Sequence, residues 1–113
     1  MTDAELRTAA SALKTARASL SGEIGAIEAC WALHGFVISH GQLVSKEDCN
    51  LFVAVASETD ALPVGSLKDN WHPDFLPPKL EELKRCDVVV ANDVRDACGR
   101  LAVALEAAEV ESR

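Results

Sequence analysis

The sequence predicts an all-α domain, a small bundle of three main helices with a kink in the first and a long structured central loop. Apolar residues recur at steps of three and four over residues 3–38 and again over 78–108, the spacing of one helical face. The chain is rich in alanine, only 4% aromatic and without tyrosine, whereas strands favour aromatic and β-branched side chains. Helix-cap and proline signals divide it at a few defined points. At 113 residues, 49% apolar and 26% charged, residues 1–113 form a single domain with one core and no need of staples.

The first element is marked by Leu6, Leu13, Leu20, Ile24, Ile27, Trp31 and Ile38 on one face. Gly22 and Gly25 weaken its middle, and Ser21 is placed to cap a new start. Because the phase of the stripe continues across Gly22, the pattern predicts a kinked or briefly interrupted helix rather than a hairpin. Gly35 and Gly41 bracket its end. Ser45 followed by Asp48 is a variant capping box and opens a helix over Lys46–Thr59 that buries Leu51, Phe52 and Val55. The run 51–56 also fits a buried strand; the cap upstream and the helical surroundings decide for helix.

Pro63 ends that helix, and Leu62-Pro63-Val64-Gly65 suits a type I turn. Ser66 to Asp69 repeats the cap signal ahead of Trp71, and His72-Pro73 and Pro77-Pro78 hold the backbone extended. Unstructured connections of this length are uncommon in small domains and are usually functional or independently packed. The last helix, about Pro78–Ala108, buries a stripe running from Leu80 and Leu83 through Val94 and Leu101 to Leu105. Asp87 falls inside that stripe and therefore needs a partner or a place at the edge of the core. Val89, Val103 and Val110 point the other way, either as scattered surface residues or as a contact for a homodimer or partner.

The formal net charge is −7, from 11 basic and 18 acidic residues. Residues 41–76 hold 2 basic and 6 acidic groups and form the acidic pole. Such a surface repels phosphate backbones and anionic lipids, so neither nucleic acid nor membrane is an expected partner. A basic protein is. There is no signal-peptide pattern and no apolar run of membrane-spanning length, and the four cysteines show no C-x-x-C pairing. A cytoplasmic protein with reduced thiols follows.

The candidate residues lie in the acidic pole. Glu58 and Asp60 end a helix, where the dipole disfavours carboxylates. The helical phase turns Glu58 inward, to accept backbone N–H groups of the turn or to pair with Arg95 or Arg100; Asp60 points outward. With Asp69, Trp71, His72 and Asp74, these form the expected partner-binding set. A two-carboxylate hydrolase with His72 as base needs groups facing across a cleft, which spacing does not establish. Cys30 and His34 stand i, i+4, yet zinc needs two further ligands and no second pair exists. No nucleophile elbow or phosphate loop occurs. Neither catalysis, nor a metal, nor a cofactor is expected.

The residues Gly22-Glu23-Ile24, Ile27-Glu28-Ala29-Cys30, Phe52-Val53, Ser57-Glu58-Thr59-Asp60-x-Leu62-Pro63-x-Gly65 and Trp71-x-Pro73 together resemble a group of small uncharacterised bacterial proteins. The resemblance covers about residues 20–105 and is most specific over Ser57–Gly65. It implies a bacterial cytoplasmic helical domain and carries no catalytic role. Size, acidity and helical content are similar to those of toxin-immunity proteins, an analogy of form. The leading expectation is an acidic protein-interaction module, most concretely an immunity-type inhibitor of a basic toxin. The alternatives are a small enzyme or ligand-binding domain with a pocket over the central loop, and a structural helical dimer subunit.

Overall fold

The computed structural model describes residues 2–64 and 69–111. It is all-helical: α1 (Asp3–Ser21), α2 (Ala26–Ser39), α3 (Lys46–Glu58) and α4 (Leu76–Glu111), with a short 3₁₀ turn at Gly41–Leu43. No strand occurs among the described residues, and none of their helices is long and apolar enough to cross a membrane.

The first predicted helix is two helices. Gly22 stops α1 in the left-handed region at φ 83°, and the Glu23 N–H reaches back to the Ala18 carbonyl at 2.9 Å. This is a Schellman-type stop, open to glycine because it has no Cβ to strain. A groove lined by Ala4 and Thr8 of α1 and by Ala32 and Phe36 of α2 sets the start of one helix beside the end of the other. The chain therefore reverses, and the kinked helix expected over 3–38 is corrected to an antiparallel pair. Leu20 and Ile38, expected on the buried face, are exposed.

α2 packs against all three other helices. It is apolar around most of its circumference, with Ile27, Ala29, Cys30, Leu33 and Val37 at most 1% exposed. α4 runs antiparallel to α1, Arg17 meeting Glu106 at 2.8 Å and Leu20 lying over Gly99. Its 36 residues correspond to about 54 Å of helix at 1.5 Å per residue, matching the 52 Å long axis of the molecule. One helix thus spans the whole fold. Val94, Ala97, Cys98, Leu101 and Leu105 are its core contribution. Val89, Val103 and Val110 stand on its solvent side, as expected. Asn92 and Asp96 fall between them on that side, so polar groups interrupt the valine stripe.

Two carboxylates lock helix starts onto α4. Gly25 begins α2 with no capping side chain of its own; Asp87 of α4 supplies one, its Oδ1 accepting the Ile27 N–H at 2.9 Å. A Cβ on Gly25 would stand 3.0 Å from that oxygen, so the residue is glycine to let the carboxylate approach. The stripe position of Asp87 is thereby satisfied. At the start of α3, Ser45 caps the Asp48 N–H at 3.1 Å, and the buried Asp48 carboxylate receives both Nε and an Nη of Arg100 at 2.8 Å. Arg100, one of the partners considered for Glu58, is therefore committed to Asp48.

The Asp48 carboxyl is held below its ordinary range, chiefly by the Arg100 hydrogen bonds and against the opposing effect of burial. A depressed folded pKa contributes stability that is complete above the unfolded value, about 3.9 for Asp, and lost as pH falls through the lower folded value. Urea midpoints of the wild type should fall along this limb, and Arg100→Met should be less stable at neutral pH with a flatter acid limb. Asp87→Ala removes the tertiary cap of α2 and should cost about 1–2 kcal/mol in urea unfolding, the range of a lost N-cap. Asp87→Asn should recover part of it through its amide oxygen.

Candidate functional site

The connection from α3 to α4 begins with a buried hydroxyl. Thr59 follows the last residue of α3, and its Oγ1 donates to the Val55 carbonyl at 2.6 Å while accepting Trp31 Nε1–H at 2.9 Å. The chain then turns, Leu62 N–H bonding to the Thr59 carbonyl at 3.0 Å and Val64 N–H to the Leu62 carbonyl at 2.9 Å. The second bond closes a γ-turn around Pro63. Leu62, Pro63 and Val64 are all buried, a three-residue plug in the core. The Gly65 end of the expected type I turn and the Ser66 cap lie outside the described residues.

The backbone is described again from Asp69. Trp71 is half-buried. His72 starts the turn that leads into α4, its carbonyl accepting Phe75 N–H at 3.0 Å and Leu76 N–H at 3.2 Å. Its Nδ1 accepts the Asp74 N–H at 3.2 Å, which requires the proton of the neutral ring to sit on Nε2. The His72 ring also leans on Phe75, centroids 5.7 Å apart.

These two stretches enclose a shallow groove of about 420 Å³. Asp60, Ala61 and Leu62 line it from the α3 side, and Asn70, Trp71 and His72 from the α4 side. Of the residues predicted from sequence, the fold thus brings Asp60, Trp71 and His72 together. Asp69 and Asp74 are exposed neighbours in the same connection. Glu58 does not line the groove: its side chain is exposed, so the inward orientation expected of it is corrected. The inward position is filled by the next residue, Thr59. The helix ends at Glu58, and a phase extended to the terminus does not anticipate the inward turn of the cap. Asn70 and Phe75, the latter 66% exposed, also escaped the sequence reading; an aromatic between prolines in an acidic loop was the available signal.

Among the described residues Glu58, Asp60 and Asp69 make no ion pair, and Asp74 has only His72 Nδ1, 3.6 Å from its carboxylate. A second groove of about 410 Å³ is lined by Ile27, Val64, Leu83 and Val88, with Asp87 at its side. A concavity of about 740 Å³ runs along α1 over Leu6, Ala9, Leu13 and Leu105, with no aromatic, histidine or cysteine among its lining residues.

The remaining reactive groups are used within the fold. His34 Nδ1 meets the Trp31 carbonyl at 2.8 Å. His40 Nδ1 meets the Phe36 carbonyl at 3.1 Å, its ring stacked on Phe36 at the end of α2. All four cysteines are free, and Cys30 and Cys98 are fully buried. Burial first, then the neighbouring Cys98 and Asp87, pushes the Cys30 thiol up to about 12, and burial likewise raises Cys98. Thiols so raised are poor nucleophiles at neutral pH. Among the described residues no group of three or more His, Cys, Asp or Glu side chains is placed to hold a metal.

Compared with protein-family models, curated proteins and solved structures, the chain matches none.

Over residues 57–64 the motif therefore supplies one structural hydroxyl, on Thr59, and two exposed carboxylates, on Glu58 and Asp60. Thr59→Val leaves Trp31 Nε1–H without its acceptor and should destabilise the fold by about 1–3 kcal/mol, the penalty of an unmet polar group. Glu58→Ala should stay within about 0.5 kcal/mol of wild type, as exposed substitutions do. Urea unfolding followed by tryptophan fluorescence measures both.

Proposed function

We propose that this chain is an acidic protein-interaction module that docks a basic protein partner on its α3–α4 connection, most concretely an immunity-type inhibitor of a basic toxin. One observation carries the reading: the groove of Asp60, Trp71 and His72 lies among carboxylates that no lysine or arginine pairs with among the described residues. The C-terminal end of a helix disfavours anions, so the dipole of α3 does not account for Glu58 or Asp60. They offer a complementary surface instead.

A lysine or arginine side chain entering the groove meets the Asp60 carboxylate on one side and the Trp71 indole on the other. Charge attraction and cation–π contact then add in a half-desolvated setting. The surrounding acidic pole steers a basic partner from a distance, an effect on association rate that salt screens. His72 has its Nδ1 occupied by the Asp74 N–H, which suits a positioned wall of a recognition groove better than a base poised to take a proton from a substrate.

The test begins with affinity capture from the source cells and continues with binding kinetics of the captured basic protein. Combining Asp60→Lys, Asp69→Lys and Asp74→Lys should slow association strongly and remove most of its salt dependence. Trp71→Ala should chiefly speed dissociation. For the immunity version, co-expression with the captured toxin should protect cells, and the triple reversal should abolish protection. A reversed variant that binds at the wild-type rate would sink the proposal, as would repeated capture of no basic protein.

A further inference from the structure

We infer that the His72–Asp74 turn is a proton-sensitive wall of the groove. Protonation of the His72 ring exchanges its bond to the Asp74 backbone for one to the Asp74 side chain and weakens the hold of the groove on a cation. The weakened hold rests on the reading of the groove as a recognition surface; the exchange itself does not.

The three histidines of the chain differ in what their Nδ1 atoms face. His34 and His40 turn Nδ1 toward carbonyl oxygens, at 2.8 Å and 3.1 Å. A carbonyl only accepts, so there Nδ1 carries the proton. A second proton on either ring goes to Nε2 and leaves that bond in place. His72 is arranged the opposite way. Its Nδ1 is bare and accepts the Asp74 N–H at 3.2 Å, so the neutral ring already holds its proton on Nε2. The next proton has one place to go, which is Nδ1. Two donors then face each other, and the bond is lost.

A replacement stands close by. The Asp74 Oδ2 is 3.6 Å from the same nitrogen, too long for a hydrogen bond to the neutral ring and within a small rotation of one to a protonated ring. Both side chains have room for that rotation, being 62% and 82% exposed. The ring is held otherwise by a tilted contact with Phe75, which is itself exposed. No buried packing resists the change.

The charged groups around the ring decide its effect. Asp60 lines the same groove from the end of α3, and Asp74 lies on the ring's own turn. Asp69 shares the connection, and α4 begins four residues on with the positive end of its dipole. Histidine charges between about pH 5 and 8, where carboxylates stay ionised. The added proton therefore places one positive charge on the wall opposite Asp60 and draws the Asp74 carboxylate into an internal pair. Both changes oppose the entry of a lysine or arginine side chain.

The exchange is tested on the ¹⁵N-labelled full chain between pH 8 and pH 5.5 at fixed ionic strength. At pH 8 the His72 ring nitrogens should show the Nε2–H tautomer. On acidification the Asp74 amide resonance should move with the same midpoint as the His72 ring, and it should stay still in His72→Gln. The wild type should bind a tetra-arginine peptide more weakly at pH 5.5 than at pH 8, by roughly twofold to fivefold, the range of one exposed ion pair. His72→Gln should lose that difference. An Nδ1–H tautomer at pH 8, an Asp74 amide that does not follow the ring, or an equal movement in His72→Gln would overturn the exchange. Coupled titration with no peptide binding at either pH would overturn the recognition reading while upholding the exchange.

Discussion

The contact between Asp87 and the start of α2 is the constraint on which the rest of the fold depends. α2 touches the other three helices, and it arrives after a chain reversal at Gly22 that fixes direction but not depth. Its first turn has unmet N–H groups and no local cap. Left to water they would hold that end of the helix at the surface, where its broadly apolar circumference cannot be buried. The Asp87 carboxylate, bound to the Ile27 N–H, meets that need from α4 and fixes where along the 36-residue helix α2 docks. At α3 the tie runs the other way, the Asp48 carboxylate of α3 receiving Arg100 of α4. α4 is thus a ruler: two carboxylate contacts set the positions of two helix starts, and apolar packing fills the space between.

This explains which parts of the fold were legible in the sequence. The existence of the helices was, because periodicity and caps are local signals: Ser45 and Asp48 placed the start of α3 at the observed residue. The need of Asp87 for a partner was legible as well, since a carboxylate inside an apolar stripe is costly wherever it lies. The hairpin at Gly22 was not. Apolar residues at helical spacing can be traced through a reversal as readily as through a continuous helix, and the stripe so traced leaves Leu20 and Ile38 exposed. The central place of α2 was hidden for a related reason. Its residues were counted on the face of Ile27, Trp31 and Ile38, whereas the buried face is centred on Ala26, Ala29, Cys30, Leu33 and Val37.

The candidate site was legible in composition more than in geometry. Asp60, Trp71 and His72 do line one groove, and they were found because an acidic, aromatic-bearing loop stands out in an alanine-rich chain. Glu58 was placed inward by extending the period of α3 to its last residue. The buried polar group is Thr59, which uses its hydroxyl to end the helix and anchor Trp31 at once. Cap geometry departs from the helical period at the residues where functional loops begin, so extrapolated phase is least informative where it is most wanted.

The two walls of the groove are held in different ways, and the difference comes from how each neighbouring helix treats its end. On the α3 side, the Thr59 hydroxyl and the buried Leu62–Val64 plug tie the chain into the core, so Asp60 stands on a fixed platform. On the α4 side, Asn70 and His72 are exposed and Trp71 is half-buried, and the nearest fixed point is the first turn of the helix. That turn makes few demands. Of the four N–H positions at 76–79, Leu76 already bonds to the His72 carbonyl, and Pro77 and Pro78 have no N–H to satisfy. α1 and α3 each call on a side chain, Thr2 and Ser45, to cap their starts. Among the described residues none caps α4 in this way, and the Asp74 carboxylate beside it stands 3.6 Å from His72 Nδ1. The same economy leaves this wall secured by a few exposed hydrogen bonds. If the groove receives a partner as proposed, adjustment would fall on the Trp71–His72 side, because Asp60 is tied to the core through Thr59 and the Leu62–Val64 plug.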